Sequence, residues 1–350
     1  MGHDAATLRL AMSRSRRKNI ARIFGYGLSA VCLAVLAFRV DWPVFVTHLR
    51  SAQPLPVVLA CALIIVTYFL FALRWRLLLS FQPKPSLVQV ASFLMLGYLG
   101  NLLLPMRAGD AARLLLIRNA YGHGVARALS SILLERVLDV LAVLLFGAAV
   151  AFVAALPETV LLVLRSSAAI VGFAILLLGW VAARPASAIG VIERMVRPFS
   201  PEKGHAVAYH VKHFAEALEI IFPRDRNSVV RVAAIVALTA FGWGSFGAAM
   251  VLCTAALDVN PAIPAGLLMM VVTNLGSAIP SSPGSLGVYH VLAVVALSGW
   301  HVGLDLALSV ATVSHAIVIG VQLLLGLLAM AIVGRQRSVH KVTAEAKPDS

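Results

Sequence analysis

Glu135, Arg136 and Asp139 lie in the segment ILLERVLD (Ile132–Asp139), which runs directly into the apolar stretch VLAVLLFGAAV. Spacings of three and four residues set two carboxylates and a guanidinium on adjoining faces of one helix. A charge near the middle of a membrane span costs about 2.5–3.5 kcal/mol on insertion scales, so such groups pair or face a polar cavity. Two roles fit: a functional cluster supplying charge compensation or proton coupling, and a structural clamp toward Arg107, Asp110 or Arg113.

Those partners belong to a second group, MRAGDAARLLLIR (Met106–Arg118), which starts a helix just after a break in the chain. Asp110 suits the positive end of that helix, and Arg107 and Arg113 suit an anionic headgroup phosphate held at exposed backbone donors. Asp110 equally suits an N-cap or an ion-pair partner for Arg113. A third group, IPSSPGSLGVYH (Ile279–His290), combines prolines and glycines with the hydroxyls of Ser281, Ser282, Ser285 and Tyr289, with Asn274 just upstream. It suits a polar headgroup or ion without formal charge. The pattern GxSxG is absent and no acid sits near His290 in sequence, which argues against a serine nucleophile. His301 and His315 stand alone on apolar helices, as packed or interhelical hydrogen-bonding imidazoles do.

The elements that must position these groups are membrane helices. Of the 350 residues, 60% are hydrophobic and 13% charged, against roughly 45–50% and 25% in soluble domains. The predicted fold is an all-α polytopic membrane protein, with six full spans near 20–39, 54–73, 128–155, 159–182, 230–257 and 305–333. The first span follows RSRRKNIAR without a small-x-small cleavage site, so it is expected to be retained rather than removed as a signal peptide. Two further apolar stretches, 86–118 and 262–299, are interrupted at mid-length by polar, Pro and Gly residues. A lipid-facing helix tolerates such freed backbone groups poorly, so both are predicted to be re-entrant hairpins.

With hairpins there, the cations fall on one side. The amino terminus (1–19), Arg74, Arg76 and Lys84, then Arg118 and Arg127, the loop 183–229 and the tail 334–350 all become cytoplasmic. The domain organisation is then a basic cytoplasmic tail (1–19), a membrane domain (20–333) and a disordered cytoplasmic tail (334–350). The membrane domain divides into halves 20–155 and 159–333, each reading span, span, hairpin, span, with the two hairpins entering from opposite sides. The breaks GNLLLPMRAGD and TNLGSAIPSSPGSLG each carry Asn, then Pro, then Gly. Such inverted repeats characterise many secondary transporters. Lys203–Phe222 places Val207, Val211, Phe214, Leu218 and Ile221 at helical spacing, as in a helix on the cytoplasmic leaflet or packed beneath the bundle.

Several function classes drop out. The net charge of +14 is scattered over short loops, so nucleic acid is not an expected partner. Cys32, Cys61 and Cys253 all lie in apolar runs and suggest neither disulfides nor a metal site. No Walker A, Rossmann or HExxH pattern occurs, so no cofactor, ATPase or metal chemistry is expected.

At these residues the chain resembles the flippase-like transmembrane region of lysylphosphatidylglycerol synthases. That family carries N-x-x-x-P-x-R-x-G-[ED]-x-x-R, then E-R-x-x-D, then P-x-x-P-G-G-x-G. Asn101, Pro105, Arg107, Gly109, Asp110 and Arg113 match the first element, and Glu135, Arg136 and Asp139 the second. Pro280, Pro283, Gly284 and Gly287 match the third, with Asp110 where Glu is common and Ser285 in place of a second Gly. The aminoacyl transferase domain of the full synthases has no counterpart after residue 333, so the resemblance implies a stand-alone member. It further implies a bacterial cytoplasmic membrane and translocation of an anionic phospholipid, glycolipid or lipid-linked headgroup between leaflets. Lipid-biosynthesis enzymes are the implied protein partners. Two other roles stay open: an enzyme modifying lipid headgroups, and a scaffold for a lipid-synthesis complex.

Overall fold

The computed structural model describes residues 25–79, 84–104, 108–121, 125–154, 156, 158–196, 225–277 and 281–345. The basic amino terminus, the amphipathic segment Lys203–Phe222, and Pro105, Met106, Arg107 and Pro280 lie outside the described residues. Among those described, every regular element is helical.

Helices α1 (Gly25–Arg39) and α2 (Trp42–Ser51) meet at 94°. The bend falls where apolar sequence gives way to Arg39, Asp41 and Trp42. Asp41 N-caps α2 by accepting from the Val44 amide at 3.2 Å, and Pro43 sits in its first turn, where a missing N–H does no harm. Next come α3 (Pro54–Leu78), α4 (Leu87–Leu103), α5 (Ala108–Tyr121), α6 (Val125–Val153), α7 (Glu158–Ala183) and α8 (Pro185–Val196). The chain continues through α9 (Arg226–Ala255), α10 (Ala262–Gly276), a single 3₁₀ turn (Pro283–Ser285), α11 (Val288–Ser298) and α12 (Leu304–Glu345). Helices α3, α6, α7, α9 and α12 are long and apolar enough to cross a membrane, and α1 with α2 forms a bent sixth candidate. This is a multi-pass membrane protein. α9 starts at a capping box in which Asp225 and Ser228 bond reciprocally, and those bonds hold the exposed Asp225 carboxyl below its usual range. α12 continues past residue 333, where its span was expected to end, to Glu345.

Both interrupted stretches form two short helices instead of one long one. α4 and α5 have 17 and 14 residues, α10 and α11 have 15 and 11. At 1.5 Å per residue all are shorter than the roughly 30 Å hydrocarbon thickness. α4 and α5 pack against each other through glycine: a methyl group on Gly109 would collide with the Gly97 carbonyl oxygen and with the Asn101 amide nitrogen. Asn101 Oδ1 accepts from the Gly109 amide at 2.9 Å, satisfying an otherwise orphaned donor at the start of α5. Gly109→Ala is therefore expected to abolish the α4–α5 seam, seen as loss of a monodisperse peak in detergent gel filtration, whereas Ala108→Gly leaves the peak intact.

In the second broken stretch, Gly284 (φ 67°) and Gly287 (φ 83°) take left-handed conformations that unwind the chain ahead of α11. α1 covers this turn, with Ser29 Oγ accepting from the Ser282 amide at 2.9 Å. The core lies where α3 packs on α9: Phe71 fills the space over Gly242, and Thr67 Oγ1 reaches the Gly242 carbonyl. Packing of the broken pairs is reciprocal between the halves. α4 packs against α12, and α10 packs against α6.

Candidate functional site

Asp139 is the central residue of the 29-residue α6, and Glu135 and Arg136 lie within about one helical turn of it. Glu135 is 1% exposed, and two arginines converge on it. Arg113 of α5 makes a two-pronged bond, with Nη1 to Oε1 at 3.2 Å and Nη2 to Oε2 at 2.7 Å. Arg74 of α3 places Nη2 at 3.9 Å from Oε1. Arg113 reaches in because Gly97 has no side chain: the arginine stem passes over it, and the guanidinium lies 3.9 Å above the Trp75 ring. The indole N–H of Trp75 donates to Ser131 Oγ at 3.1 Å, which fixes that ring.

One helical turn on, Asp139 Oδ1 accepts from Arg74 Nη1 at 2.6 Å and from the Trp243 indole N–H at 2.9 Å. Arg136 turns the other way. Its Nη2 donates to both oxygens of Asp110 at 3.0 and 2.9 Å, while its Nη1 stays 4.0 Å from Asp139 Oδ2. Three arginines and three carboxylates from α3, α5 and α6 thus form one neutral network. Neutrality and bidentate geometry offset the desolvation that any one of these charges suffers alone. The side chains grade from sealed to open: Arg74 and Arg113 are 0% exposed, Asp139 10%, Asp110 22% and Arg136 32%.

Arg136 and Asp139 open onto a cavity of about 510 Å³, within the range typical of ligand sites. The second broken stretch also contributes to its wall. Of the residues expected from sequence, Asn101, Arg136, Asp139, Asn274, Ser281, Ser282, Ser285 and Tyr289 line it. Asp110, Arg113 and Glu135 stand outside the lining in the ion-pair network, so the clamp geometry is realised and the open face is a separate feature of the same cluster. Arg107 lies outside the described residues.

Arg74 requires a correction. Its charge looked like part of the second cytoplasmic loop, yet it is wholly buried inside α3 and bonded to Asp139. The signal was the continuation of the apolar helix through Trp75, Leu77 and Leu78. Also missed were Tyr68, Tyr98, Trp243, His315 and Gln322 on the cavity wall. Gln322 Nε2 donates to the Tyr68 hydroxyl at 2.9 Å, and Tyr289 stacks on His315 at 4.1 Å between ring centres. No three His, Cys, Asp or Glu side chains gather as a metal-holding group among the described residues.

The cavity can hold a polar headgroup in a nonpolar surround. Arg136 offers a donor to an anion, Asp139 offers Oδ2 to a donor, and hydroxyls and amides complete the wall. Compared with known proteins, the chain matches the model of the lysylphosphatidylglycerol synthase transmembrane region over residues 22–326. It is also 24% identical to a protein named glycosyltransferase AglD from Haloferax volcanii, over 91% of this chain. The chain spans 56% of that relative's length.

Proposed function

The chain belongs to the lysylphosphatidylglycerol synthase transmembrane-region family, and from that premise we propose that it is a lipid flippase, moving a lipid-borne headgroup between leaflets. The observation that carries this reading is the cavity itself: charged residues at the centre of α6 and an unwound, hydroxyl-rich turn line it together. Anionic phospholipid or a lipid-linked headgroup is the cargo, its phosphate exchanging with Asp110 for the guanidinium of Arg136. Ser281, Ser282 and Ser285 gate the far side. The reciprocal packing of α4 on α12 and α10 on α6 supports an inverted repeat with oppositely entering hairpins, the arrangement that lets one half rock against the other. The scatter of cations supports a cytoplasmic membrane location with both termini inside.

The test is leaflet exchange of fluorescent-headgroup phospholipids in proteoliposomes, with and without a proton gradient. Protein-dependent exchange is expected, and Asn274→Trp, which fills the cavity from α10, is expected to remove it. Absence of exchange across a broad panel of lipids overturns the proposal. The name of the Haloferax relative favours a second reading, modification of a lipid headgroup, in which a deletion strain loses a product rather than its sidedness.

A further inference from the structure

The uncharged part of the cavity wall has a chemistry of its own. Gln322 gives its amide N–H to the Tyr68 hydroxyl, and Asn274 gives its own to the Met270 carbonyl at 2.8 Å. Both amides are therefore held at the nitrogen end, and Gln322 Oε1 and Asn274 Oδ1 remain as fixed acceptors in the lining. Fixed carbonyl oxygens select ligand hydroxyls, because an analogue without them leaves buried acceptors unpaired. Tyr98 and Trp243 add aromatic surface to the same cavity, suited to the C–H face of a pyranose. A bare phosphate would use Arg136 and leave both amides idle.

Leu102, Leu104 and Ile319 give the cavity wall an apolar part, and Leu104 is 48% exposed. A lipid chain attached to the bound group would leave past such a residue.

We propose that the cavity takes a lipid-linked sugar phosphate, with the phosphate at Arg136, the sugar hydroxyls on Gln322 and Asn274, and the lipid chain past Leu104. This rests on the headgroup-carrying reading and names its cargo.

The test is equilibrium binding by the full chain in phosphatidylcholine nanodiscs, referenced to empty discs, with three probes: geranyl-phosphoryl glucose, geranyl phosphate and glucose 1-phosphate. The glycosylated lipid is expected to bind about tenfold or more tighter than geranyl phosphate, a step of two hydroxyl-accepting contacts. Gln322→Leu and Asn274→Leu are expected to shrink that increment, read in each variant as the ratio of the two lipids' affinities. Equal affinity for the two lipids, or an increment that survives both substitutions, overturns the sugar assignment. Glucose 1-phosphate binding as tightly as the lipid overturns the lipid linkage. The wild-type comparison alone decides the ligand class, so a variant that fails to fold does not shield the proposal. Binding discrimination without leaflet exchange retains the sugar site and removes translocation; exchange without discrimination does the reverse.

Discussion

Arg113→Met is expected to cost the folded protein about 3–5 kcal/mol, the largest single-site loss we anticipate in the membrane domain. Glu135 would keep only the 3.9 Å contact to Arg74 while remaining 1% exposed, so a carboxylate would sit almost uncompensated in a dry interior. The stem of Arg113 also fills the gap over Gly97, which methionine occupies nearly as well, so the loss reports charge rather than volume. The double substitution Arg113→Met with Glu135→Leu removes both charges together and is expected to recover most of the lost stability. Thermal unfolding in detergent, followed by helical circular dichroism, measures both. If the double variant is as unstable as the single, the network is held by more than this pair and the clamp reading fails.

Arg136→Gln is expected to behave in the opposite way, keeping the fold and losing transport. Arg136 is the most open charge in the cluster, and Asp110 retains Asn101 Nδ2 at 3.4 Å and Arg113 at 3.9 Å when it leaves. A charge-assisted hydrogen bond contributes about 1.5–3 kcal/mol, so leaflet exchange should fall about tenfold to a hundredfold. Arg136→Lys keeps the charge and should recover part of the rate while losing the fork that grips two oxygens. The measurement is the initial rate of exchange in proteoliposomes matched for protein content. A normal rate in Arg136→Gln would assign the open face of the cluster no part in moving the headgroup.

Much of this was legible from residue order. An E-R-x-x-D segment inside an apolar run is conspicuous because hydrocarbon penalises each charge, and both broken stretches announce themselves through Asn, Pro and Gly. Arg74 was concealed by position. It lies four residues from the end of α3, where a topological account of its charge is sufficient and the burial that contradicts that account is invisible. Tyr68, Trp243 and Gln322 gave no local signal, since one polar or aromatic residue on an apolar helix is ordinary.

The chain's sequence by itself determined that it is a helical membrane protein, where five of its long apolar helices run, and which apolar segments carry charges and breaks; the expected first span, 20–39, instead contributes α1, bent by 94° onto α2. These follow from local composition, because lipid judges each stretch of about 20 residues almost independently. Only the tertiary structure decided which charges meet. Arg113 pairs with Glu135, Arg136 with Asp110 and Arg74 with Asp139 because α5 packs on α4 across Gly97 and Gly109 while α6 packs against both α5 and α3. Ion pairing depends on distance in space, and residues 65 positions apart in the chain acquire that distance only when the helices pack.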